Sequence, residues 1–144
     1  MKREILFRGK QVKDRKWVEG LLTKDVKGHF RIHYDPAYFS VVVDPETVGQ
    51  FTGLLDKNGI KIFEGDIIDG ESYLYKHQLK PNGEQFHFRG VVEFETQCDV
   101  GLCYVLTDKN GSWNLNQTVH RNQIDFCTGI IIGNIHDNPE LLNK

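Results

Sequence analysis

No apolar run in this sequence approaches the roughly 20 residues that a membrane-crossing helix needs. The opening, MKREILFRGK, lacks the apolar core of a secretory leader, so the chain reads as cytoplasmic. Cysteine is scarce. Cys98, Cys103 and Cys127 make an odd count, which without an export signal reads as reduced thiols. Excess positive charge is missing too. With 18 Lys and Arg against 20 Asp and Glu, the net charge of −2 argues against a general nucleic-acid coat. There is no Walker-type phosphate loop, no glycine-rich dinucleotide turn and no GxSxG elbow. Four residues separate Cys98 from Cys103 and no second pair exists, which is not zinc-knuckle spacing. The expectation is a non-enzyme with no cofactor and no metal. Hydrophobic content of 39% with 26% charged residues suits a globular protein and argues against wholesale disorder.

What the sequence does hold is a series of strands and turn signals. The stretch 44–68, DPETVGQFTGLLDKNGIKIFEGDII, organises the rest. Asp44 before Pro45 predicts a capped helical turn, which Gly49 keeps short. Gln50 to Leu55 predicts a strand. Asp56-Lys57-Asn58-Gly59 predicts a tight hairpin, because Asn and Gly both tolerate positive φ. Ile60 to Phe63 returns, and Ile67-Ile68 resumes after Glu64-Gly65-Asp66. Upstream, Ile5 to Phe7 and Trp17 to Leu22 pair across a turn bracketed by Gly9 and Asp14. Val26 to Tyr34 alternates, with Phe30, Ile32 and Tyr34 on one side and His29, Arg31 and His33 on the other. Downstream, FHFRGVVEFE at 86–95 predicts a long strand bulged at Gly90. Further strands are expected at 101–107, 113–115, 123–127 and 130–135. Asn138 and Pro139 predict the start of a short C-terminal helix. The fold class is therefore mainly β. An N-terminal hairpin and sheet unit spans 1–60, and a second β unit spans 61–144 with an irregular excursion at 69–85. The aromatics Phe7, Trp17, Phe30, Tyr34, Tyr38, Phe39 and Phe51 are expected to supply most of the first core.

Few residues suggest chemistry. Lys2, Arg3, Arg8, Lys10, Lys13, Arg15 and Lys16 face only Glu4 and Asp14 in the first sixteen residues. A solvated edge hairpin explains this cluster. A phosphate-contacting ribbon of Arg8, Lys10, Lys13, Arg15, Lys16 and Trp17 is the sharper reading. Tyr73, Tyr75 and His77 lie in the excursion, where partner contacts are usual. His29 and His33 stand about 13 Å apart on a regular strand, too far for one metal ion. Glu64 and Asp66 read as a turn in which Asp66 accepts backbone N–H groups, in preference to a paired-carboxylate site.

The ordered set ETVGQFTGLLDKNGIKIFEGDII, GVVEFE and IGNIHDNPELL, preceded by REILFRGK and WVEGLL, resembles the YopX-like family of phage and prophage proteins. The likeness runs nearly end to end and is weakest at 72–85. It implies a bacterial or phage origin, and hence the cytoplasm of a bacterial host. It also implies an SH3-like barrel in the C-terminal part, and self-association. It implies no catalytic activity. The expectation is an accessory protein that binds a protein partner and forms a homo-oligomer. Nucleic-acid binding through the basic hairpin is the alternative.

Overall fold

The computed structural model describes residues 4–34, 39–72, 86–97, 101–108, 111–114 and 129–143. The chain is mainly β, in two antiparallel sheets. It divides into two compact units, Met1–Gly53 and Leu54–Lys144. The division falls inside a strand, so the Asp56–Gly59 turn, placed by sequence at the end of the first unit, belongs to the second.

The first unit contains β1 (Phe7–Lys10), β2 (Trp17–Lys24), β3 (Phe30–Tyr34), β4 (Phe39–Val42) and most of β5 (Gly49–Leu55), ordered β4-β3-β2-β1-β5. The sheet curls on itself. Just beyond β4, Val43 bridges to Gln11, just beyond β1. Val12 donates to the Val42 carbonyl at 3.0 Å and Asp44 to the Lys10 carbonyl at 2.8 Å. Ile32, Val43 and Phe51 are buried inside.

Gly9 is part of β1, not the start of a turn, and the curl leaves little room beside it. A Cβ there would lie 3.1 Å from Val43 Cβ. The core is more aliphatic than the aromatic count suggests. Of the aromatics named above, Phe51 is buried, Phe7, Trp17 and Phe30 are half-buried, and Tyr34 and Phe39 stack on each other in the open. Tyr38 lies outside the described residues.

The Asp44-Pro45 signal is met by a 3₁₀ turn over Pro45–Thr47. The Asp44 carboxylate accepts from Glu46 N at 3.1 Å. Buried Thr47 then joins turn to strand. Its Oγ1 accepts from Lys10 N at 2.8 Å and donates to the Asp44 carbonyl at 2.7 Å.

In the second unit, the end of β5 leads through Asp56–Gly59 to β6 (Lys61–Phe63). The turn is not the expected one with positive φ at both Asn and Gly. Only Gly59 is left-handed, at φ 79°. Gly59 N donates to the Asp56 carbonyl and Asp56 N to the Ile60 carbonyl, a type I turn closed by a glycine bulge. The Asp56 side chain decides the choice by accepting from Asn58 N at 2.8 Å and Ile60 N at 2.9 Å.

The same device closes β2–β3. There Asp25 accepts from Lys27 N and His29 N at 2.9 Å each, and Gly28 takes φ 86°. The signal Asp-x-x-Gly is thus present at 25–28 as well as at 56–59. Residues 25–29 form this turn, so β3 starts at Phe30 and not at Val26.

The main sheet of the second unit contains β7 (Asp66–Ser72), β8 (Phe86–Gln97), β9 (Gly101–Asp108), β10 (Gly111–Asn114) and β11 (Ile130–Asn134), ordered β10-β9-β8-β7-β11. Ile67, Ile68, Val91 and Val92 are buried on it; Ile62 and Phe63 of β6, which pairs with β5 and not with this sheet, are buried too. The ladder passes Gly90 without a register shift; the bulge is on β11, between Ile131 and Gly133. Among the described residues the sheet is open, and no ladder closes it into an SH3-like ring. The strand expected at 123–127 lies outside them.

The C-terminal helix is a 3₁₀ segment, Pro139–Asn143, beginning after Asn138 as the Asn-Pro signal requires. No helix among the described residues is long and apolar enough to cross a membrane.

Candidate functional site

The β1–β2 register determines which of the basic residues act together. Lys10 lies opposite Trp17 and Arg8 opposite Glu19, so the four share one face. Gly9, between them, points into the core, which sends Arg8 and Lys10 to the other side of the sheet. The Arg8 guanidinium carbon is 4.8 Å from the Trp17 ring centroid and Lys10 Nζ is 5.5 Å from it. Both separations suit cation–π attraction, worth about 0.5–1 kcal/mol at exposed sites. An indole and two cations are therefore held in one place by strand pairing.

The turn between the strands adds exposed Lys13 and Lys16. It is well ordered by its own bonds. Gln11 N donates to the Lys16 carbonyl, Arg15 N to the Gln11 carbonyl, and Lys16 N to the Asp14 carboxylate. Arg15 differs from its neighbours. It takes φ 61°, the left-handed region, and its guanidinium bonds Asp44 at 3.0 Å. It anchors the turn to the end of β4.

Of the six sequence-predicted basic-site residues, Arg8, Lys10 and Trp17 come together, Lys13 and Lys16 extend the cluster, and Arg15 is diverted. Tyr73, Tyr75 and His77 lie outside the described residues, as do Cys98 and Cys127.

The histidines of the first unit are engaged separately. His29 Nδ1 is 3.2 Å from Asp25 Oδ2, and His33 Nε2 is 2.9 Å from Thr23 Oγ1. Asp25 is also 3.8 Å from Arg31. The backbone N–H of His29, helped by that of Lys27 and by the His29 ring, holds the Asp25 carboxyl below its ordinary value despite some opposing desolvation. A carboxyl lowered in the folded state stabilises it above the unfolded pKa and loses that contribution as pH falls through the folded one. The Asp25 carboxyl carbon, followed by NMR, should thus titrate below a free aspartate. Truncation to Asp25→Ala should make stability less sensitive to acid in that range. An Asp25 midpoint at the free value would refute this.

Sequence reasoning missed one cluster, because it depends on register. Asp69 on β7 lies opposite Arg89 on β8. Asp69 accepts from Arg89 Nε at 2.6 Å, and His87 Nε2 lies 3.1 Å from both of its carboxylate oxygens. Arg89 also donates to the Leu141 carbonyl at 3.3 Å, fastening the C-terminal 3₁₀ segment to the sheet. Nothing in the spacing of 69, 87 and 89 reveals this.

Asp66 behaves as the turn reading expects. It is buried and accepts from the backbone N–H of Phe63 at 2.8 Å. His136 and Asp137 form a turn governed by Asn134, whose Oδ1 accepts from both of their N–H groups at 3.0 Å. Among the described residues no three His, Cys, Asp or Glu side chains gather as a metal cluster.

Charge is divided unevenly between the units. The first has ten Lys and Arg against seven Asp and Glu, a net +3; the second has eight against thirteen, a net −5. The Arg8–Lys10–Trp17 face therefore sits on the positive unit of a slightly acidic protein.

The model of the YopX protein family matches residues 6–143. The chain belongs to the YopX family. The match takes in the basic hairpin, both aspartate turns and the C-terminal 3₁₀ segment, so the YopX assignment covers every feature described above. A solved structure, that of protein EF1440 from Enterococcus faecalis, is 22% identical and covers 98% of this YopX chain and 99% of its own, with a TM-score of 0.44. None of the curated proteins compared with the chain matches it.

Proposed function

We propose that this YopX protein is a non-enzymatic accessory protein of a phage or prophage. It acts in the bacterial cytoplasm by binding a partner, and it associates with itself. The partner is anionic and docks on the Arg8–Lys10–Trp17 face. One observation carries the reading: two cations lie within 5.5 Å of an indole centroid on the unit with net positive charge. Strand pairing orders these side chains before any partner arrives, which lowers the entropic cost of binding.

Retention on an immobilised polyanion such as heparin tests this. The protein should bind in low salt, elute as salt rises, and elute earlier as Arg8→Gln/Lys10→Gln. Elution in the void volume at low salt would remove the reading.

Self-association is supported by the opposite charges of the two units, which let the first unit of one copy attract the second unit of another. Light scattering should report a defined oligomer that loosens with salt. A monodisperse monomer at every working concentration would count heavily against it.

A further inference from the structure

We infer that the anionic ligand of the β1–β2 hairpin is single-stranded nucleic acid, with Trp17 as the stacking platform and Arg8, Lys10, Lys13 and Lys16 as phosphate partners. This deepens the proposed function and rests on its placement of the binding face. A simple polyanion needs only cations. An indole among them adds a flat apolar surface that matters only to a ligand with flat faces of its own. Unpaired bases have such faces, whereas in a duplex they are turned against one another. Stacking on aromatic side chains is how single strands are held without sequence preference.

The local geometry fits. Trp17 is half-buried, so part of it remains open to solvent. Arg8 and Lys10 reach over the ring from β1, so a base stacking on Trp17 meets both cations, and exposed Lys13 and Lys16 continue the charge around the turn. The face lies on the outside of the curled sheet, opposite Gly9, Ile32 and Val43, where a flexible strand can follow it. Asp14 and Glu19 are the carboxylates within the hairpin. The Asp14 side chain bonds Lys16 N, and Glu19 lies opposite Arg8. Arg15 has no part in this surface, because its guanidinium is bonded to Asp44. The sequence alone placed it among the contacts; the structure assigns it to the scaffold.

The test is fluorescence anisotropy with the full chain at low salt. The probes are a labelled oligothymidylate of about 12 nucleotides, a duplex of the same length, and heparin as competitor. The single strand is expected to bind more tightly than the duplex, to quench Trp17 emission, and to weaken steeply with salt. Trp17→Leu should weaken single-strand binding about tenfold or more and leave heparin binding nearly unchanged. Lys13→Gln/Lys16→Gln, at exposed positions that do not threaten folding, should weaken both. Arg15→Gln should weaken either one much less than that pair does. Duplex binding equal to or tighter than single-strand binding would overturn the inference, as would indifference to Trp17→Leu. Heparin binding that depends on Arg8 and Lys10, with no nucleic acid bound, would leave the proposed function standing and remove only this step. Failure to bind any of the three would remove both.

Discussion

Replacing Gly20 with alanine should be among the most damaging single changes in the first unit. Gly20 lies on β2, opposite Phe7 of β1, while β3 passes on its other side. A Cβ at this position would fall 1.9 Å from the carbonyl oxygen of His33 and 2.7 Å from its carbonyl carbon. Both atoms are backbone, so no side chain can swing away. β2 and β3 must separate, with loss of ladder bonds on either side of the clash. Overpacking of this kind costs about 3 kcal/mol, the upper end of the usual range. Urea denaturation of Gly20→Ala should show a clearly lower midpoint. Amide exchange should accelerate first in β2 and β3. Gly59→Ala is the matched control. Nothing lies within 4 Å of a Cβ there, but φ is +79°, so only the left-handed strain of about 1–2 kcal/mol remains. If the two substitutions cost the same, the close approach of β2 to β3 is wrong.

The second large effect is expected at Asp56. This carboxylate is 5% exposed and accepts three backbone hydrogen bonds. Two close its own turn, from Asn58 N and Ile60 N. The third comes from Ile131 N at 3.1 Å, 75 residues away on β11. Lys57 N adds a bond to the Gly129 carbonyl beside it. The turn therefore covers the start of the β11 edge, where unpaired strand groups would otherwise be left. Asp56→Ala leaves three donors without their acceptor. Hydrogen bonds to an ionised group are each worth about 1.5–3 kcal/mol, and partial resupply by water should bring the net loss to about 3 kcal/mol. Asp56→Asn should recover part of that. Asp25→Ala, in the same turn type but only half-buried and without the distant third bond, should cost distinctly less. Thermal melts of the three variants measure the ordering. If Asp25→Ala proved as damaging as Asp56→Ala, the long-range bond would not be the source of the effect.

These two residues show where the sequence could be read and where it could not. Asp56 was legible as a turn residue, since Asp-x-x-Gly between apolar runs has a local cause. Its hold on β11 was not, because no local pattern records a partner 75 positions away. The same turn at Asp25 was legible in principle. It was hidden by the alternation of the residues after it, which extended the expected strand backwards. Gly20 was invisible, because a glycine in a strand looks alike whether it faces solvent or another backbone. At the hairpin, charge clustering picked out the basic residues but could not separate Arg15 from Lys13 and Lys16. That separation comes from a left-handed residue bonded to Asp44, and it required the fold.

By itself the sequence determined that the chain is mainly β, where most of its strands run and where the Asp-Pro, Asp-x-x-Gly and Asn-Pro corners fall. Those follow from side-chain alternation and from backbone preferences that act over a few residues. Tertiary structure alone decided that the first sheet curls until Val43 meets Gln11, that Asp69 finds His87 and Arg89, and that Arg8 and Lys10 lie over Trp17. Each of these depends on which strands pair and in what register. That choice is made by burying Ile32, Val43 and their counterparts together, and the energy of that burial belongs to the packed chain and to no single stretch of it.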